Sequence, residues 1–600
     1  MIKVENLTHA QIHSLVNDPK VILLGSGISI WDPTNLPTGK AFGAGIFRAL
    51  FNYSGRLKDP FGSGELEKLF SRIPFENVME KCPEPVQLVA LLTQIYNLTR
   101  YNNIHRLVAE SLITGKLSSI ITTNYDCCID KALADLCGCP VGTVMGPVTR
   151  IFTETPFTSP PFRRARAREP VYFKIHGSAD DTTGQSLVFR LRHESSLPSW
   201  KRSLLKSIVQ DRTLLVVGYS GLDFEICPEI SSLKPSRVFW NVLCESDITP
   251  NARRVADENA GEIIVGDMRK FLSGVLGSVN AIVGSPQVDI EAILLRNFSR
   301  ESLLLWRARL LNSLSYGKAA LTVIQELIAT TSSPVAKTVE VLEEQARALH
   351  YIGAYKSAAL TYEKATLVAK KSQLPDETIY DLLLSSCDNW RCYGGFLKAS
   401  KRLREAETLA AESRLNRADL LAAANLKHVL LLRRNYQVAD LFGASRYKNR
   451  IRRKAEILFR VSAEALLSSG RWFEVQQLRL WADRFDLPAD VTQPPGLYEL
   501  PPPREGYEHL GFPMAQMMVF RDDVDTGRRL HDQDVAEEAI EKAKLAVKLG
   551  LRTEAWKLNY LLLKRFPEHR NTHTLRGFVR NFFDCEYSFL MRCLLLIIRP

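Results

Sequence analysis

The sequence predicts an α/β, Rossmann-like parallel-sheet domain with helical insertions, followed by an all-α helical-repeat domain. Three observations lead there. Six short apolar runs, VILLGSG, SSIITTNYD, VYFKIHG, TLLVVGYS, RVFWNVLC and GEIIVGD, recur within the first 285 residues. Continuous runs of this length, rich in Val and Ile, read as strands buried on both faces of a parallel sheet. Helical stretches separate them, and from about residue 290 the β signal gives way to helical periodicity with abundant Ala and Leu.

The domain boundaries follow from these shifts. Residues 1–285 form the sheet domain, with 32–105 and 137–170 as insertions between strands. Residues 290–487 form the repeat domain, 488–532 a Pro-rich interruption, and 533–600 a C-terminal helical segment. The repeat aligns Gly353, Tyr355, Ala358, Tyr362 and Ala365 with Gly394, Phe396, Ala399, Leu403 and Ala406. Asn435, Tyr436 and Ala439 give a degraded third copy, with Arg434 in the glycine slot. Gly470, Trp472, Val475 and Ala482 give a fourth. Small Ala residues let paired helices approach closely, and glycine turns the hairpin. The pattern resembles tetratricopeptide repeats at a longer, irregular spacing. Such arrays present a concave binding face. Pro501-Pro502-Pro503 cannot lie inside a helix, and Asp534 is a candidate N-cap for the helix that follows.

A chain of 600 residues exceeds one core. No apolar run approaches the length of a membrane span, and MIKVENLTHA lacks a signal-peptide pattern, so a cytoplasmic protein without membrane contact is expected. Eleven cysteines lie scattered, without paired CxxC spacing, which argues for reduced thiols and no structural zinc. The net charge is +12. The first 300 residues hold 33 basic and 30 acidic side chains, the remainder 45 and 36. The excess reads mainly as a solvated helical surface, and nucleic acid is not the expected partner. Arg163, Arg164, Arg166 and Arg168 read as a solvated, Pro-flanked loop.

Ligands of a parallel sheet bind at the carboxyl ends of its strands, so polar residues there are the site candidates. Gly25, Ser26, Gly27, Ile28 and Ser29 follow the first run. Their reading is a loop that lets backbone approach a pyrophosphate, or simply a tight turn. Asn124, Tyr125 and Asp126 end the second run, where Asp126 serves equally as a cap for the next helix. His176 and Gly177 end the third, Gly218 and Ser220 with Asp223 the fourth. Asn241 lies in the fifth and Asp267 follows the sixth.

In order, these elements resemble the sirtuin family: a Gly-Ala-Gly-Ile-Ser loop, a Gln-Asn-Ile-Asp segment, a His-Gly, a Gly-(Thr/Tyr)-Ser loop, an Asn on a strand and a late Gly-Asp. The TTNYD, KIHG and GYSGLD versions resemble the divergent bacterial branch, which includes NAD-consuming Thoeris-type and defence-associated sirtuins of antiphage defence. The resemblance spans residues 15–280. Two departures stand against a peptide substrate. HGSADDTTGQSLVFRLRHESS holds no cysteine where deacetylases carry a zinc ribbon, and no Phe-Gly-Glu segment precedes GYSGLD.

The resemblance implies a hydrolase that cleaves NAD+ to nicotinamide and ADP-ribose, without a metal, as an effector of abortive infection. His176 would accept a proton and Asn124 would orient water and ribose hydroxyls. Gly25 to Ser29 would hold the pyrophosphate, Asp126 the nicotinamide side. Ser220, Asp223, Asn241 and Asp267 would line the adenosine side, with Tyr125, Gly177 and Gly218 completing the cofactor site. A homo-oligomer is expected, with the repeats binding an activating phage component or a partner defence protein. The alternatives are an NAD-dependent protein deacylase, a non-catalytic scaffold that senses NAD or ADP-ribose, and a nucleic-acid complex using Arg446, Lys448, Arg450, Arg452, Arg453 and Lys454.

Overall fold

The structure, a computed structural model, describes residues 1–16, 21–52, 75–97, 100–154, 160–167, 169–181, 183–189, 197–221, 226–277, 288–330, 335–412, 420, 424–425, 427–432, 444–468, 520, 533–549, 551–566 and 572–587. The chain divides into two compact units, Met1–Ala49 with Pro74–Asn297, and Leu50–Ile73 with Phe298–Pro600.

The first unit holds nine strands: β1 Ile2–Lys3, β2 Val21–Leu24, β3 Ser119–Thr122, β4 Val144–Met145, β5 Val148–Ile151, β6 Val171–Lys174, β7 Thr213–Val217, β8 Arg237–Val242 and β9 Glu262–Val265. They form one sheet in the order β1-β9-β8-β7-β2-β3-β6-β5-β4. Every pairing is parallel except β4 with β5. Side chains alternate between the faces, as a strand's period of two requires. Ile22, Leu24, Ile120, Leu215, Val217, Phe239 and Ile264 enter one core, together with helices His9–Leu15, Asn103–Ile113, Cys128–Cys137 and Met268–Leu276. Val21, Leu23, Ile121, Phe173, Leu214, Val216, Val238 and Trp240 enter the other, under helices Ser199–Val209, Ile226–Leu233 and Pro250–Glu258. With both faces covered, apolar residues fill both alternations, so the sequence runs are continuous.

All six apolar runs are strands. The sequence reading lacked β1, β4 and β5. β1 and β4 have two residues each, and β5 buries Arg150, which interrupts an apolar pattern. The arginine run also differs from expectation. Pro160–Arg166 is a helix, its two prolines in the first turn, where a missing N–H costs nothing. Arg163 is exposed, while Arg164 donates to Thr149 Oγ1 at 2.9 Å. Arg168 lies outside the described residues.

The second unit is helical throughout its described residues. Helices Arg300–Ser313, Gly317–Thr330, Val335–Tyr351, Tyr355–Lys371, Asp376–Tyr393 and Phe396–Glu412 each pack on the next. Gly353 turns its hairpin at φ +81° and Gly394 ends its helix at +97°. Ala358, Ala365, Ala399 and Ala406 are fully buried at the helix contacts. The third and fourth repeat copies and the Pro-rich segment lie outside the described residues, Phe520 excepted. In helix Ser445–Ser468, Ile451, Ala455 and Phe459 are buried while Arg446, Arg450, Arg453 and Lys454 are exposed. The last helices are Gln533–Leu549, Arg552–Arg565 and Thr572–Asp584. Asp534 lies in the first turn rather than at the N-cap, because the helix starts one residue earlier. Among the described residues no helix is long and apolar enough to cross a membrane.

Candidate functional site

Strand order reverses between β2 and β7. The strands that follow β2 in the chain extend one way, and those from β7 onward extend the other. Val217, Leu24, Thr122 and Lys174 form one row across β7, β2, β3 and β6. The loops that leave this row are those holding Gly218, Gly25, Asn124 and His176. Neighbouring strands stand about 4.8 Å apart, so Asn124 and His176, each two residues past the row, share one edge on adjacent strands.

The glycines at the switch point bring backbone against backbone. A Cβ at Gly25 would lie 2.4 Å from the Gly218 carbonyl oxygen, and one at Gly27 2.8 Å from Gly218 Cα. Gly218 itself has φ +66°. Gly25 N–H donates to Val217 at 3.0 Å and Gly27 N–H to Gly218 at 2.9 Å. The space left by these absent side chains is therefore filled by the β7 loop.

Ser29 is the hub of the neighbouring network. Its hydroxyl donates to Asp126 Oδ2 at 2.8 Å and lies 3.1 Å from His105 Nε2. Asn124 Nδ2 donates to Gly25 O at 3.2 Å and to Ser29 Oγ at 3.3 Å. Because a carbonyl only accepts, these bonds fix which end of the Asn124 amide is nitrogen. Asn124 is 7% exposed, and among the described residues no donor reaches its Oδ1. Asp126 also accepts from Cys128 N–H at 3.1 Å, so its helix-capping and network roles coexist.

Sequence reasoning missed His105 and Asn102. Asn102 caps helix Asn103–Ile113, accepting from Ile104 and His105 N–H, and its own N–H donates to His105 Nδ1 at 3.2 Å. Its amide also holds the glycine loop, donating to Ile28 O at 2.8 Å. The cap was visible in NNIHRL. The link to Ser29 was not, since 76 residues separate the partners. Burial brings the His105 imidazole down to about 4, against the pull of the Asp126 carboxylate.

His176 is buried at 6% exposure, its ring 6.5 Å from that of Tyr125 at 30°. Gly177, at φ +88°, passes so close to Ser186 that a Cβ would lie 2.1 Å from its carbonyl oxygen. That contact returns the chain beside the site, where Val188 N–H donates to His176 O at 2.9 Å and the Tyr125 hydroxyl donates to Val188 O.

A buried ion network lies against the Asn124 loop. Lys174 Nζ donates to Asp126 O at 2.6 Å and to Asp130 Oδ2 at 3.0 Å. Tyr172 donates to Asp130 at 3.1 Å, and Arg150 pairs with Asp130 and, at 2.6 Å, with Asp180. Burial disfavours the Lys174 charge, but Asp130 outweighs it and the ammonium rises above its ordinary value. Burial likewise opposes the Asp180 charge, but the Arg150 hydrogen bond and charge bring it down to about 2.

The remaining candidates make other contacts. Asn241 donates to Ile264 O at 3.1 Å and Gly266 O at 3.2 Å, so its amide N–H groups hold the β9 loop. Asp267 caps helix Met268–Leu276 and pairs with Arg269 at 2.6 Å; that guanidinium lies 4.0 Å from the centre of the Trp31 ring. Ser220 is exposed and its carbonyl accepts from Thr249. Asp223 lies outside the described residues.

Residues 118–237 match the SIR2-like domain family model. That part of the α/β unit is similar to SIR2-like domains. The matched span contains Asn124, Tyr125, Asp126, His176, Gly177, Gly218 and Ser220, whereas Gly25 to Ser29, His105, Asn241 and Asp267 lie outside it. No curated protein matches the chain significantly. Among the described residues one group, His105, Asp126 and Cys128, has metal-ligating atoms within 4.8 Å of one another. The Ser29 hydroxyl already binds two of the three.

Proposed function

We propose that this protein hydrolyses NAD+ to nicotinamide and ADP-ribose. The observation that carries the reading is the Asn124 amide. Its nitrogen is committed to Gly25 and Ser29, while its buried carbonyl has no donor among the described residues. An unmade bond on a buried carbonyl costs about 1–3 kcal/mol, and a ribose hydroxyl or the attacking water offers the missing donor. His176, on the adjacent strand end, takes the proton of that water. Water oxygen bonds to the ribose carbon, nicotinamide leaves with the electrons of the C–N bond, and the proton passes through His176 to solvent. Positioning supplies the larger share of the rate, and the base adds about 10²–10⁴-fold.

The resemblance of TTNYD, KIHG and GYSGLD to the antiphage branch supports a role as an effector that depletes NAD in infected cells. The helical repeats then hold the enzyme silent, assemble a homo-oligomer, or receive the phage-derived trigger. The test is chromatography of purified full-length protein with NAD+, with and without infected-cell lysate. Nicotinamide and ADP-ribose are expected without added peptide, and their loss in Asn124→Ala and His176→Ala. Full turnover in both variants overturns the mechanism. Nicotinamide release only with an acylated peptide favours a deacylase. NAD binding without turnover favours a sensor.

A further inference from the structure

We propose that His105 is a positioning residue that fixes the Ser29 hydroxyl and, through it, the place of the Asn124 amide. The inference deepens the NAD-hydrolase reading and rests on it for its kinetic arm.

The hydrogen-bond inventory leaves one arrangement. His105 Nδ1 accepts from the Asn102 backbone N–H, which has no other role to offer it. A neutral imidazole must then carry its proton on Nε2, facing Ser29 Oγ at 3.1 Å. The hydroxyl has one proton and two lone pairs. Its proton goes to the Asp126 carboxylate at 2.8 Å, which can only accept. Its lone pairs receive His105 Nε2–H and Asn124 Nδ2–H. Every group in the chain is thereby used once, with no conflict of donors. Full burial of His105 supports the neutral state.

The consequence reaches Asn124. If Ser29 turned its proton toward Asn124, the amide would flip to present Oδ1 to it. Nδ2 would then abandon the Gly25 carbonyl and take the place reserved for an acceptor. The Asp126 carboxylate takes that proton and the Gly25 carbonyl keeps Nδ2, while His105 Nε2–H fills one lone pair of Ser29 and fixes where its oxygen stands. The His105 ring thus helps hold Ser29 Oγ at the place where Asn124 Nδ2 meets it, although nothing in the network requires the ring to touch substrate. Its place in a helix cap makes this support rigid, because Asn102 binds both the helix start and the Ile28 carbonyl of the glycine loop.

Two substitutions separate this role from simple capping. Gln places an amide nitrogen near the Nε2 position, and Asn places an amide group near Nδ1. His105→Gln therefore keeps the donor to Ser29 and loses the cap acceptor, while His105→Asn does the reverse. Expected for His105→Asn is a kcat lower by about 10–100-fold, with KM and thermal midpoint close to wild type. Expected for His105→Gln is a kcat near wild type despite a lower thermal midpoint. Unchanged kcat in His105→Asn, or losses that follow the thermal midpoint in both variants, overturns the proposal. A second readout needs no turnover: ¹⁵N-histidine NMR of the full-length protein, with the His105 signals assigned by their loss in His105→Gln. The Nε2–H neutral tautomer is expected at pH 7 and still at pH 5.5; an imidazolium or the Nδ1–H tautomer overturns the wiring. If wild-type protein releases no nicotinamide, the hydrolase reading fails, and the tautomer alone decides the wiring.

Discussion

Lys174→Met removes the ammonium but keeps a stem of similar reach. Three bonds go with it: Asp126 O at 2.6 Å, Asp130 Oδ2 at 3.0 Å and Tyr125 O at 3.4 Å. Breaking a fully buried pair by deleting one partner costs about 3–5 kcal/mol, because the other charge is left without compensation. Asp130 retains Arg150 and the Tyr172 hydroxyl, which sets the loss at the low end, about 3 kcal/mol. For a unit of this size each kcal/mol lowers the melting temperature by about 2–4 °C, so a drop of about 6–12 °C is expected. Differential scanning calorimetry at pH 7 reads it directly. A variant melting within about 2 °C of wild type would refute the claim that Lys174 holds the Asn124 loop in place.

Gly25→Ala drives a methyl against the Gly218 carbonyl oxygen at 2.4 Å and Tyr219 Cα at 2.6 Å. Neither can swing aside, so a loss of at least about 1–3 kcal/mol is expected; a wild-type urea midpoint would contradict it. His105 is held at about 4 by burial against an ordinary 6.5, so below pH 6.5 the unfolded chain binds a proton that the folded one does not. Its contribution is complete above pH 6.5 and is lost as the pH falls toward 4, up to about 3 kcal/mol. Denaturant melts across that window should be flatter for His105→Gln, and equal slopes would reject the assignment. In the second unit, Ala365→Leu overfills a fully buried helix contact and should cost about 1–3 kcal/mol, read as a lower thermal midpoint.

The parts legible in the sequence were those whose cause is local. A strand covered on both faces must be apolar at every position, so β2, β3, β6, β7, β8 and β9 announced themselves. Hairpin glycines were legible because Gly353 and Gly394 adopt positive φ, which other residues enter at a cost. The edge that carries Asn124 and His176 followed from the strands' common direction. What stayed hidden depends on partners far apart in the chain. Asp130 looks like an ordinary helix residue, Arg150 like an interruption and Lys174 like a strand's polar end; only the fold turns them into a fully enclosed ion network. Ser29 and His105 are hidden for the same reason. Asn241 was visible as a polar residue in an apolar strand, whereas the bonds of its Nδ2 to the neighbouring loop were not.

The stitched glycine loops of β2 and β7 carry a mechanical consequence. Two backbone bonds and a contact too tight for a methyl group join the sheet's halves where their winding diverges. That floor cannot hinge to admit a bulky guest without tearing both bonds. A switch that keeps both bonds leaves this bed unchanged and moves other elements of the chain.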